Sequence, residues 1–93
     1  MSAGEITVTH NAAAHRFEAT MDGHLSVAEY ELTGRAMVMT HTLVPPELRG
    51  RGLAERLVRT ALAWARAEGH RVVPACSYVD AFIRRHAEFQ DLV

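Results

Sequence analysis

The hydrophobic period of the chain changes at Pro45-Pro46, and no other feature constrains the fold as much. Before the prolines, apolar and polar residues alternate, the period of a half-buried strand. After them, apolar residues recur every three or four positions, the period of a helix. Proline has no N–H to give to a ladder, so the pair also ends the strand before it.

Four strands are predicted ahead of the break: Glu5 to His10, His15 to Met21, Leu25 to Leu32 and Ala36 to Val44. Ile6 and Val8 share a face, and Phe17, Ala19 and Met21 point inward. Asn11-Ala12-Ala13-Ala14 is too short for a stable helix and reads as a turn. Asp22-Gly23 is a strong hairpin signal, and Thr33-Gly34-Arg35 makes the next turn. In the third strand Leu25 and Val27 alternate against Ala28, Tyr30 and Leu32, and Glu29 interrupts the pattern.

Behind the break, Leu53, Leu57, Val58, Ala61, Leu62 and Ala65 predict a helix from Gly52 to Glu68, with Gly69 as its stop. Glu55 and Arg59 sit one turn apart in the favourable order. Val72-Val73, within His70 to Cys76, reads as a short buried strand. Strand, helix and strand in succession imply a parallel crossover. Val79, Phe82 and Ile83 predict a second helix from Tyr78 to about His86, and Phe89 to Val93 shows no clear period. The order β-β-β-β-α-β-α describes an α+β fold: an antiparallel meander with a parallel last strand pair.

Ninety-three residues make one domain, residues 1–93. The 48% hydrophobic and 23% charged residues exclude a disordered chain. No apolar run approaches the roughly 20 residues of a membrane helix. Met1 to Glu5 has neither the basic nor the apolar part of a secretion signal, so a cytoplasmic location is expected. The single cysteine, Cys76, has no internal disulfide partner, and no zinc-ligand spacing is present.

A net charge of −1 speaks against a general nucleic-acid binder. The charge is unevenly spread. Residues 1–46 hold two arginines and five acids, a net −3, while residues 47–93 hold eight arginines and six acids, a net +2. The second half is therefore the place to look for an anionic ligand.

The run Leu48-Arg49-Gly50-Arg51-Gly52-Leu53-Ala54 stands between the fourth strand and the long helix. Glycines there let the backbone turn tightly and approach a ligand closely. The first turn of a helix offers unpaired N–H groups and the positive end of the macrodipole, which together suit a phosphate. Arg49 and Arg51 flank that turn and can add charge-assisted hydrogen bonds. The plainer reading is a glycine-punctuated connection with two solvated arginines. A P-loop is excluded because no Gly-Lys-Ser/Thr follows, and a Rossmann turn because no early G-x-G-x-x-G does.

Arg49-x-x-Gly52-x-Ala54 resembles the Arg/Gln-x-x-Gly-x-Gly/Ala motif of the GNAT-superfamily acyltransferases. His41 to Gly52, Cys76-Ser77-Tyr78-Val79 and the ending His86 to Val93 are similar to the minimal, single-domain GNAT-like group. The resemblance covers residues 36–93 well and 5–35 in outline. It implies an N-acetyltransferase that uses acetyl-CoA (coenzyme A) and an amine acceptor. The loop from Arg49 through Gly50, Arg51, Gly52 and Leu53 to Ala54 would cradle the pyrophosphate. The last two strands would splay apart, and backbone groups at Leu43 and Val44 would hold the pantetheine arm and polarise the thioester.

The chain also departs from the family. Full-length members carry one or two helices between the first two strands, where this chain has only Asn11 to Ala14. Leu43 replaces the usual Glu of the minimal group, and Ala87 and Phe89 stand where Pro and Tyr are usual.

Three side chains are catalytic candidates, each with a structural alternative. His41 is a general base for the amine or a half-buried histidine satisfied by its neighbours. Cys76 is a nucleophile or a small buried hydrophobe, and with no lysine in the chain its thiol is expected to stay protonated. Tyr78 is an acid for the departing thiolate or a packing residue at a helix start. Arg84-Arg85-His86 complements a helix dipole or reaches a terminal phosphate of the ligand. The rival to an enzyme is a CoA-binding or protein-interaction module with little turnover.

Overall fold

A computed structural model describes residues 6–93. The alternating half forms four antiparallel strands, β1 (Thr9–Asn11), β2 (Arg16–Met21), β3 (His24–Thr33) and β4 (Ala36–Leu43). Helix α1 (Leu53–Glu68) crosses over to β5 (Arg71–Pro74), which pairs with β4 in parallel. The five strands lie in the order β1-β2-β3-β4-β5. Helix α2 (Ser77–Arg85) and a 3-10 helix (Ala87–Leu92) complete the chain.

Cross-strand partners share a face of a sheet, and that rule sorts the core. Phe17 pairs with Ala28, Ala19 with Ser26, Tyr30 with Met39, and Met37 with Val72, and all eight residues are buried. The apolar stripe of α1 packs on this face: Leu53, Leu57, Val58, Ala61, Leu62 and Ala65 are the buried residues of that helix. Val79, Phe82 and Ile83 of α2 join the same core, as do Phe89 and Leu92 of the tail. The opposite face is open, and Leu25, Leu43 and Val73 lie on it, exposed.

That one-sided covering corrects one expectation, that of a fully buried Val72-Val73 strand. Val72 is buried but its neighbour Val73 is 46% exposed, because only alternate residues of β5 meet the helices. Leu25 lies on the open face, and Leu32, near the end of the β3–β4 hairpin, is also exposed. The first strand is shorter and later than expected. Glu5 lies outside the described residues, Ile6 to Val8 are unpaired with β2, and pairing starts at Thr9.

Local chemistry explains the turns. Asp22 and Gly23 both take positive φ, as the hairpin turn demands. The Asn11 side chain accepts a hydrogen bond from the Ala14 N–H at 3.2 Å and caps a single 3-10 turn. Beneath it, the His10 ring stacks on Phe17 at 4.1 Å, meets Trp64 edge-on at 4.6 Å, and is hydrogen-bonded to the Tyr30 hydroxyl at 2.5 Å. The tail is tied to α1 by Arg66, whose guanidinium holds Asp91 at 2.8 and 2.9 Å, and by Arg59, which reaches Glu88.

Candidate functional site

After β4 the chain passes Val44 and Pro45 into a 3-10 turn, Pro46–Leu48, pinned by the buried Leu48. Gly50 and Gly52 follow with φ of 82° and 80°. Only glycine enters that left-handed region without strain. Gly52 is the N-cap of α1 and has no side chain to close it, so the first N–H groups of the helix keep their free ends. They border a cleft of about 130 Å³ lined by Val44, Leu48, Arg49, Gly50, Gly52, Leu53, Ala54 and Glu55. A wider, open depression of about 310 Å³, lined by Asp80, Ile83, Arg84, Gln90 and Val93, contains Arg84 but none of the loop residues Arg49 to Ala54 and none of the three catalytic candidates.

The two loop arginines part company. Arg49 lies at the cleft, its Nε 3.4 Å from the Val44 carbonyl. Arg51 turns away: its guanidinium donates to Asp22 at 2.9 Å and lies 3.4 Å from the Met21 sulfur. Leu43 is exposed and does not line the cleft.

Beside the cleft the sheet opens. The parallel ladder runs from Ala36–Arg71 to Met39–Pro74, and the Cys76 N–H gives a further bond to the Met39 carbonyl at 2.9 Å. From Thr40 to Leu43, β4 has a strand partner on one side only, β3. Its other edge, beyond the end of β5, offers its backbone groups to a ligand.

Cys76 sits at this fork as the N-cap of α2, half-buried, its sulfur 3.6 Å from the Thr42 hydroxyl. Burial pushes the thiol up, but the Val79 amide, the Thr42 hydroxyl, the Tyr78 amide and the Thr42 backbone together draw it below its ordinary value. None of the helix amides makes a formed cap bond, so they act on the sulfur through their field. The sequence has no lysine to lower this thiol, and the start of α2 supplies a lowering that composition does not show. Tyr78 is half-buried with its ring tilted against Phe82, and burial first, then the Glu55 carboxylate, raise its phenol, while Arg85 opposes them.

His41 stands elsewhere. Adjacent strand residues point to opposite faces, so Thr42 meets Cys76 on the helix side while His41 projects from the open face. There its Nδ1 lies 3.4 Å from the Glu29 carboxylate. The structure therefore joins Cys76, Tyr78 and the α1 cleft on one side of β4 and places His41 on the other. Thr42, Glu29 and Asp22 are not singled out as site residues by the sequence, though Asp22 is legible there as a turn residue. Glu29 leaves a trace there, as the break in an alternating strand. Among the described residues no group of three or more His, Cys, Asp or Glu is placed to hold a metal ion, and no helix is long and apolar enough to cross a membrane.

Comparison with known proteins gives this geometry a family. The solution structure, determined by NMR, of a GCN5-like protein from Staphylococcus aureus superposes with a TM-score of 0.72, covering 99% of this chain and 89% of that one at 23% identity, which is a likeness of fold. Protein NATD1 of Bos taurus is 32% identical over 84 residues, 87% of this chain and 74% of its own length. Protein NATD1 of Mus musculus is 30% identical over 86 residues, 89% of this chain and 78% of its own. The family model described as GCN5-related N-acetyl-transferase matches residues 16–92, and the chain belongs to that family.

Proposed function

We propose that this chain binds acetyl-CoA at the start of α1 and transfers its acetyl group directly to an amine. One observation carries the reading: the open N-terminus of α1, created by Gly52, faces a cleft beside the unpaired edge of β4. The donor set fits a pyrophosphate. It combines free helix N–H groups, two backbone positions that only glycine adopts easily, and the Arg49 guanidinium. Gly50, Gly52, Leu53 and Ala54 would hold the phosphates, with Arg51 joining them on release from Asp22. The backbone at Leu43 and Val44 would hold the pantetheine arm. When bound, acetyl-CoA supplies an activated acyl group on a good leaving thiolate.

The residues of this chain then divide the proton traffic. The acceptor nitrogen must lose a proton and the leaving sulfur must gain one. Tyr78 would supply the second, and its raised phenol keeps that proton at neutral pH. His41, or water, takes the first. Cys76 packs at the fork with its sulfur turned into Thr42 and the start of α2, and takes no acyl group. The acceptor site is open, since one 3-10 turn connects β1 to β2. That brevity favours a second reading, a CoA-binding module with little turnover. A cytoplasmic location fits either reading.

Calorimetry with CoA and with pantetheine tests the site, and acceptor-dependent thiol release tests the reaction. CoA should bind much more tightly than pantetheine. Equal affinities would remove the phosphate cradle, and tight CoA binding without thiol release across a panel of amines would favour the module.

A further inference from the structure

One extra residue in β4 decides which way its neighbours point. The β3–β4 ladder pairs Tyr30 with Met39 and Glu29 with His41, so Thr40 is left between them as a bulge. In a regular strand His41, two residues after the buried Met39, would face the helices. The bulge turns it to the open face, as bulges re-aim side chains. The Thr40 hydroxyl pins this arrangement by donating to the Glu29 carbonyl at 3.2 Å.

On the open face His41 meets Glu29, Nδ1 to carboxylate, at 3.4 Å. Glu29 has one other charged cross-strand neighbour, Arg16. Arg16 is engaged elsewhere: its Nε donates to Glu18 at 2.6 Å, and the Asn11 amide also donates to Glu18, at 2.9 Å. Glu31 stands farther along β3, opposite Val38 rather than His41. Among the described residues, His41 is therefore the ionic partner of Glu29. The pair is well exposed, 65% for the imidazole and 35% for the carboxylate, so its Coulomb energy is small. At 3.4 Å the contact is an ion pair longer than a formed hydrogen bond; closed onto the Nδ1 proton, the carboxylate chooses the tautomer and leaves Nε2 as the lone-pair nitrogen.

We propose that Glu29 is a positioning residue, which holds the Nδ1 proton of His41 so that Nε2 receives a proton from the acceptor amine on the open side of the sheet. The role rests on the acetyl-transfer reading above. An acceptor arriving as an ammonium gives one proton to Nε2, which passes it to water. The freed lone pair forms the C–N bond to the acetyl carbon as the C–S bond breaks. The nitrogen's second proton is lost to solvent as the amide forms. The thiolate takes a proton from Tyr78, which solvent restores.

The test uses the full chain with Glu29→Ala and Glu29→Gln, read by nitrogen NMR of the His41 ring, calorimetry with CoA, and thiol release against pH. The parent should carry the His41 proton on Nδ1. Glu29→Ala should move it to Nε2 and lower kcat by roughly 10-fold to 100-fold on removal of an aligned base. It should leave CoA affinity unchanged and flatten the acid limb of the pH profile. Glu29→Gln, whose amide oxygen still accepts the Nδ1 proton, should keep the tautomer and recover part of kcat. An unchanged tautomer in Glu29→Ala, or a changed tautomer with unchanged kcat, would overturn the proposal while CoA still binds. Failure of the parent to bind CoA would instead remove the acetyl-transfer reading, and this role with it.

Discussion

Arg51 in the glycine loop and Asp22 in the β2–β3 turn, twenty-nine residues apart in sequence, are joined by a 2.9 Å ion pair. The pair ties the loop to the far hairpin and keeps one of its two arginines off the cleft. Both side chains are at least half exposed, so the pair is worth no more than about 1 kcal/mol. Asp22→Asn, which keeps a residue tolerant of positive φ, should therefore leave thermal stability nearly unchanged. Freed, Arg51 should raise CoA affinity by up to about fivefold in low salt. Arg51→Ala should abolish that gain, and Arg49→Ala should weaken CoA roughly tenfold in the parent. Calorimetry at two salt concentrations checks all three.

Gly52→Ala should lower stability even without ligand. A Cβ there meets nothing within 4 Å, so the cost is torsional, arising from φ of +80°. A left-handed non-glycine residue costs about 1–2 kcal/mol. In a domain of this size, each kcal/mol lowers Tm by about 4–8 °C. A thermal melt reads the effect. A variant that melts with the parent would show that the loop relaxes out of the left-handed conformation.

Cys76 should be alkylated at lower pH than an ordinary thiol, because its surroundings favour the thiolate. Thr42→Val removes one of those surroundings and should move the alkylation profile upward. Cys76→Ala should still bind CoA and retain most of any turnover. Mass spectrometry after brief exposure to acetyl-CoA should find no stoichiometric acetyl adduct on Cys76. A rapid, complete adduct, with turnover lost in Cys76→Ala, would replace direct transfer with a covalent route.

Tyr78→Phe keeps the ring against Phe82 and removes the acid. Turnover should fall by about 100-fold or more. CoA affinity should not change, since the phenol acts only as the sulfur departs. The alkaline limb of the parent's pH profile should lie above the usual tyrosine range, because burial and Glu55 raise this phenol. That limb should vanish in the variant.

His10 is lowered by burial, so the folded chain prefers it neutral. The sign follows: near and below the usual histidine value of about 6.5 the unfolded chain takes up the proton first, and stability falls as pH drops toward the lower folded value. Urea unfolding from pH 7.5 down to 5.5 should show this loss. His10→Gln should show a smaller slope. The lowered carboxyls of Glu18, Glu88 and Asp91 act in a separate, more acid window, losing their contribution as pH falls through their folded values.

What the sequence reveals of this molecule follows the range of the interaction involved. The stripe from Leu53 to Ala65 is legible because a helix writes its buried face into local spacing. The Asp22-Gly23 turn is legible because its torsions select those residue types. Val73 is misread because an apolar pair does not say whether one face of the sheet or both are covered. The Thr40 bulge leaves no local mark, since it exists only in the register of β4 against β3. Arg51 looks like a loop cation in sequence, and its partner Asp22 is visible only in space. Cys76 looks unactivated because the groups that act on it are backbone amides and a hydroxyl.

The bulge also sets a rule about counting. Replacing Thr40 would cost one hydroxyl bond to Glu29. Deleting it would leave Met39 and His41 adjacent, still opposite Tyr30 and Glu29, so the ladder would become regular with His41 outward and Thr42 inward. The end of β4 is thus a reading frame as much as a surface: it can absorb the loss of this unpaired letter, but not the loss of a paired one beside it.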